Sequence, residues 1–183
     1  MIKISTLSDF EVQAAASNYL RLTPGKHRIR VLGDPISGWV WWEDTADGGR
    51  KPTRIKLTQP IPVNEGAEAK KFIAMPIWNY DLNKIQIWEV TQVTIQRELK
   101  SLDADPDWGN LMDYDIEIER QGNDKMTTKY FVRAKPKTDP SKEIVGEVVK
   151  GSPALEALYL GTDPFQEEVS DESLADLEKP LNA

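Results

Sequence analysis

The chain has 183 residues, 39% hydrophobic and 29% charged, with a formal net charge of −7, a balance that predicts one packed domain with flexible ends. It contains no cysteine and one histidine, His27, which excludes disulfides, thiolate metal sites and two-histidine zinc motifs, and no metal or other cofactor is expected. No apolar run approaches the roughly 18 residues of a membrane span and the N-terminus lacks a basic start with an apolar stretch, so a soluble cytoplasmic protein without a membrane partner is expected.

Residues 1–18 mix apolar and polar positions without a strong period and read as an N-terminal arm or short helix. HRIRVLGD (27–34) alternates, with Ile29 and Val31 against Arg28 and Arg30, and WVWWED (39–44) resumes an extended run after Gly33, Pro35 and Gly38. Together they predict one long strand bent by a bulge or kink. Residues 45–70 combine glycine, proline and charge around the strand-like RIKL (54–57) and read as a long, partly ordered loop. KFIAMPIWNY (71–80) and KIQIWEV (84–90) predict a hairpin turning at Asp81, Leu82 and Asn83. A helix follows with Thr91 as N-cap and Ile95, Leu99 and Leu102 on one stripe. YDIEIERQG (114–122) and TTKYFVRAKPK (127–137) form a last strand pair turning at Gly122, Asn123 and Asp124, and SPALEALYLG (152–161) a short docking helix. A mainly β protein results, with one or two helices. Five strands with a helix between the third and fourth is the order of an OB-fold, a five-stranded Greek-key barrel, here spanning residues 19–137, with a linker at 138–162. An SH3-like barrel is the nearest alternative architecture.

Residues 163–183 hold seven acids against Lys179, a net of −6 that leaves only −1 for residues 1–162. This acidic tail, poor in aromatics, is expected to be disordered. Within the near-neutral body, Lys26 to Lys56 carries seven basic and four acidic residues, so positive charge can gather on one face.

A three-residue hairpin loop places Tyr80 opposite Lys84. Ile73, Met75, Ile77, Ile85 and Ile87 then share one face, and Phe72, Trp78, Tyr80, Lys84, Gln86 and Trp88 the other. Pro76 implies a local bulge or broken pairing on that aromatic outer face. In the last strand Tyr130, Val132 and Ala134 alternate with Lys129, Phe131, Arg133 and Lys135, a basic side with one ring; in the strand before it Asp115, Glu117 and Glu119 form an acidic outer side. In an OB barrel the fifth strand pairs with the third, and the basic-aromatic and acidic surfaces separate. Basic groups interleaved with flat rings are what unpaired nucleic acid needs, cations for phosphates and rings for bases. The candidate phosphate contacts are Arg28, Arg30, Arg50, Lys51, Arg54, Lys56, Lys71, Lys84, Lys129 and Arg133; the candidate stacking residues are Trp39, Trp41, Trp78, Tyr80, Trp88 and Phe131.

From about Tyr19 to Lys137 the chain resembles bacteriophage single-stranded DNA-binding proteins of the OB-fold type. The resemblance lies in YLRLTPGKHRIRVLGDPISGWVWW, RKPTR, KFIAMPIWNYDLNKIQIWEVTQVTIQRELKSL, DPDWGNLMDYDIEIERQG and TKYFVRAKPK. It implies sequence-independent coating of exposed DNA strands in phage replication, recombination or repair, in the cytoplasm of an infected bacterial host. It also implies that the acidic tail competes with DNA and recruits phage or host replication and recombination proteins, with Glu167, Glu168, Asp171, Glu172, Leu174, Asp176, Leu177 and Glu178 as contacts and Leu181 as a further apolar one. Two other readings stand beside this non-enzymatic one. A protein-interaction adaptor would use the same aromatic face, and a magnesium-dependent nuclease would draw on Asp103, Asp105, Asp107, Asp113, Asp115, Glu117 and Glu119.

Overall fold

The computed structural model describes residues 17–63 and 68–166. Its strands are β1 (Gly25–Val31), β2 (Ile36–Asp44), β3 (Arg50–Lys56), β4 (Lys70–Asn79), β5 (Lys84–Val90), β6 (Tyr114–Gln121) and β7 (Lys129–Lys137). Its helices are α1 (Val93–Ala104), α2 (Lys142–Lys150) and α3 (Ala157–Leu160), with one 3-10 turn at Leu111–Asp113. The strands form one antiparallel sheet in the order β3-β2-β4-β1-β6-β7, with β5 on the second edge of β4. The molecule is therefore mainly β, with α1 between β5 and β6 as expected.

The bent first strand is present. β2 pairs with Lys70 to Ala74 of β4 and β1 with Ile77 to Asn79 along the same edge. The ladder breaks around Pro76, whose carbonyl accepts the Leu32 N–H at 2.9 Å across the bend. Gly38 is required at the β2–β3 approach, since a Cβ there would lie 2.1 Å from the Ile55 carbonyl oxygen and 2.9 Å from the Phe72 ring.

Barrel closure differs from expectation. β7 pairs with β6 rather than with β5. The outer edge of β5 is taken by residues 18–20, where Ile87 donates to the Asn18 carbonyl and accepts from Leu20 N–H, both at 2.9 Å. Arg120 ties this segment to β6 through the Leu22 carbonyl at 2.7 Å. Residues 1–16, most of the expected arm, lie outside the described residues.

Around β4 and β5 both faces of the sheet are buried. On one, Ile29, Val31, Met75, Ile77, Trp88 and Ile116 pack beneath Ile95 and Leu99 of α1. On the other, Val40, Phe72, Ala74 and Ile87 pack under Leu155 and Leu158, with Tyr159 and Phe165 against them. Residues 138–162, read as a linker with a short docking helix at 152–161, supply α2 as well as α3, which falls within that expected helix. Ser141 caps α2 by accepting the Ile144 N–H at 3.3 Å, and Ile144 is buried. The acidic tail begins later than composition implies, because Pro164 is buried and its carbonyl accepts from Ala154 N–H at 2.8 Å.

Three local expectations are corrected. The loop expected at 45–70 contains a full strand, β3, paired with β2 from Lys56 to Arg50; as an edge strand it tolerates Pro52 and a row of charges. The N-cap of α1 is Gln92, not Thr91. The hairpin loop has four residues, 80–83, so Asn79 opposes Lys84 and Met75 opposes Trp88. An Asx turn from Asp81 N–H to the Asn79 side chain and a left-handed Asn83 build the longer turn.

Candidate nucleic-acid interface

The one-residue change of register relocates the aromatic side chains. Trp88 now shares a face with Met75 and Val90 in the core beneath α1, while Ile85 and Ile87 lie with Trp78 on the opposite face. That face does carry Phe72, Trp78 and Tyr80 as expected, but it is not a surface, because α2 contacts β5 and the segment with Leu155 and Leu158 lies across β4. Trp78 and Trp88 are 2% and 1% exposed, so neither is available to stack on a base. Trp41 is buried too, its indole N–H donating to Glu43 at 3.0 Å. Phe131 remains 39% exposed, and Trp39 is half-buried on β2.

The candidate cations divide by partner. Arg30 is buried and pairs with Asp115 at 3.2 Å, donating also to the Met112 and Thr138 carbonyls. Arg28 completes the cluster at 2.7 Å from the same carboxylate. Tyr80 donates to Asp115 at 2.8 Å; burial first and the Asp115 bond second push its hydroxyl pKa up. Arg28, Arg30, Tyr80 and Asp115 form a structural network that joins β1 and the end of β4 to β6. The acidic and basic rows do not separate, because β6 lies between β1 and β7 and its carboxylates bind the cations of both. Arg133 reaches Glu117 at 3.2 Å and Glu119 at 2.9 Å, and Lys135 reaches Glu117 at 3.1 Å. The Glu117 carboxyl is held below its usual range by the Lys135 bond and then by Arg133, and that of Glu119 by Gln121 and then Arg133.

Arg54 is sequestered against Glu89 at 2.6 Å. Lys56 sits over the Tyr159 ring and 3.6 Å from Glu156. Arg50 pairs with Asp44 at 3.2 Å. Lys84 lies 3.5 Å from the Asn18 side chain, and Lys129 is exposed at the start of β7. The proposed tail contacts from Glu167 to Glu178 lie outside the described residues.

A cleft of about 920 Å³ stays open between α1, the start of β4, the bend after β1 and residues 110–112. Val93, Gln96, Arg97, Lys100 and Asp103 form its helical wall, a single stripe at helical spacing. Val31, Ile73, Met75 and Leu111 supply apolar lining. Lys71, Arg97 and Lys100 line it as well, and among the described residues none of the three has an ion-pair partner within 4.0 Å. Trp39 lies beside it, opposite Lys71 in the ladder, with the Lys71 ammonium 5.3 Å from its ring centroid. Lys51 occupies the same face of the sheet two cross-strand positions along, opposite Glu43.

No protein-family model, curated protein or solved structure matches the chain.

Of the sequence candidates, the fold therefore brings Trp39 and Lys71 together beside the open cleft, leaves Lys51 exposed on β3, and commits most of the others to pairs or to the core. Arg97, Lys100 and Val93 of the cleft were missed. Their signal was present, since positions 93, 97 and 100 follow the 3.6-residue period beside the buried Ile95 and Leu99 stripe. Trp42, 49% exposed on the other face of β2, was passed over as well. For the nuclease reading, no group of three or more His, Asp or Glu side chains that could hold a metal occurs among the described residues. No helix among them is long and apolar enough to cross a membrane.

Proposed function

We propose that this chain is a sequence-independent single-stranded DNA-binding protein that coats exposed strands in phage DNA replication, recombination or repair, on a barrel of OB order. The bent first strand, the β4–β5 hairpin, the interposed α1 and the β6–β7 hairpin support that order. The observation that carries the function is the open cleft, where Lys71, Arg97 and Lys100, free of ion pairs among the described residues, line an apolar trough beside Trp39. Phosphates would meet the cations at the rim and an unpaired base the exposed part of the Trp39 ring. Neutralising three phosphates predicts a log affinity against log salt slope of about −2 for a single strand. In this reading the role is binding rather than catalysis.

The adaptor reading depends on the aromatic hairpin face, which the chain's own C-terminal segment covers. The acidic residues 167–183 keep their proposed part as a weak competitor for the cleft and a recruiting segment for replication and recombination proteins.

A mobility-shift titration with single-stranded and duplex DNA of equal length tests the proposal. The single strand should bind more tightly, quench tryptophan fluorescence and dissociate with salt. Charge reversal at Lys71, Arg97 or Lys100 should each lower the salt slope by about 0.7. A preference for duplex would overturn the reading.

A further inference from the structure

The lining of the cleft beneath α1 combines buried apolar side chains, Val31, Met75 and Leu99, with exposed charged ones, Lys71, Arg97 and Lys100. The cleft volume of about 920 Å³ lies in the range that encloses small organic ligands. The lining is mainly apolar, with two side-chain amides, half-buried Gln96 and exposed Asn110 at the edge, whose remaining hydrogen-bonding groups are defined by the bonds they already make. Gln96 donates its Nε2 to the Lys71 and Val90 carbonyls at 3.0 and 2.9 Å, which leaves Oε1 as an acceptor. Asn110 accepts the Met112 N–H on Oδ1 at 2.9 Å, which leaves Nδ2 as a donor. Asp34 and Asp103 share the wall with Lys71, Arg97 and Lys100 and leave one net positive charge. A phosphate group belongs beside the exposed cations and not among the buried apolar side chains.

Resting on the strand-binding reading above, we infer that unpaired bases of the bound strand insert into this cleft under α1, while the sugar-phosphate chain stays outside on the cationic rim. A nucleobase is flat, largely apolar on its faces and carries donors and acceptors on its edge, which matches an apolar slot with one free acceptor and one free donor. Every base offers both kinds of group, so insertion is consistent with sequence independence. A duplex, whose base edges are already paired, is rejected.

The absence of cysteine makes a thiol placed at the cleft mouth unique. Val93 is 56% exposed there, so V93C should fold as the parent does. Fluorescence anisotropy would compare an oligo(dT) with an abasic oligomer of equal length and charge, in V93C and in V93C carrying W39A. Maleimide labelling of the V93C thiol would then be timed with each oligomer at saturation. Base insertion predicts that the abasic strand binds about tenfold more weakly or worse even without Trp39. It also predicts that oligo(dT), and not the abasic strand, slows labelling about tenfold. Equal binding of the two oligomers, loss of the base preference on W39A alone, or an unprotected thiol overturns the inference while leaving phosphate-led binding intact. If neither oligomer binds the unsubstituted protein, the strand-binding reading falls and the inference with it.

Discussion

The far face of the β4–β5 hairpin and the cleft beneath α1 are built from similar residues, rings and long cations set among aliphatics, yet only one of them is a surface. The hairpin face holds Phe72 and Trp78 and is closed by the segment carrying Leu155 and Leu158. The cleft holds Lys71, Arg97 and Lys100 beside Trp39 and is closed by nothing among the described residues. The difference shows that an aromatic, basic pattern along a strand identifies side chains that could bind a ligand, while the elements laid down later in the chain decide whether they are reachable. A tryptophan contributes to a core or to a site with the same chemistry, by burying its large ring.

Substitutions can set the two regions against each other. Trp88→Ala should have the largest effect, a loss of about 3–5 kcal/mol of folding stability in urea unfolding, because the ring is fully inside the core. If Trp88→Ala instead left stability unchanged and reduced DNA binding, the assignment of the two faces would be reversed. Leu158→Ala should cost about 2–5 kcal/mol of stability, since it opens the cover over the hairpin face. Enhanced binding of a hydrophobic dye at mild urea would report that opening. Trp39→Ala should act on binding and spare folding, weakening oligo(dT) affinity by about 1–3 kcal/mol with an unchanged unfolding midpoint. Arg133→Ala should change affinity by less than about twofold, because Glu117 and Glu119 already hold that guanidinium at the surface; a loss matching that of Trp39→Ala would extend the binding face to β7.

A separate effect, on stability alone, belongs to alkaline pH. Burial, and then Asp103, Asp113 and Asp105, push the Tyr114 pKa up to about 12 from an ordinary value of 10.0. The fold thus favours the neutral phenol, and the stability this contributes is complete below pH 10 and declines as pH rises from 10 through 12. Unfolding free energies measured across that interval should fall less steeply in Tyr114→Phe.

Much of the strand and helix content was legible in the sequence because alternation and helical period report one-sided burial directly. Tyr130, Val132 and Ala134 pack on the core while Phe131 and Arg133 face outward, as their period of two requires. Ile95 and Leu99 are the buried stripe of α1, and Gly33, Pro35 and Gly38 mark the bend joining β1 to β2. The hairpin was less legible for the same physical reason. When both faces are buried, aliphatic and aromatic residues occupy both, alternation no longer distinguishes them, and a turn of three residues or four fits the pattern equally well.

By itself, then, the sequence determined where the chain extends, where it coils into the central helix, and which types of side chain are available to meet a ligand. Tertiary structure alone decided the hairpin register, the docking of residues 18–20 on β5, the cover laid by residues 142–165 and the neutralisation of Arg28, Arg30 and Arg133 by β6. All of these depend on contacts between segments far apart in the chain. Periodicity is a local property, and access to a side chain is not.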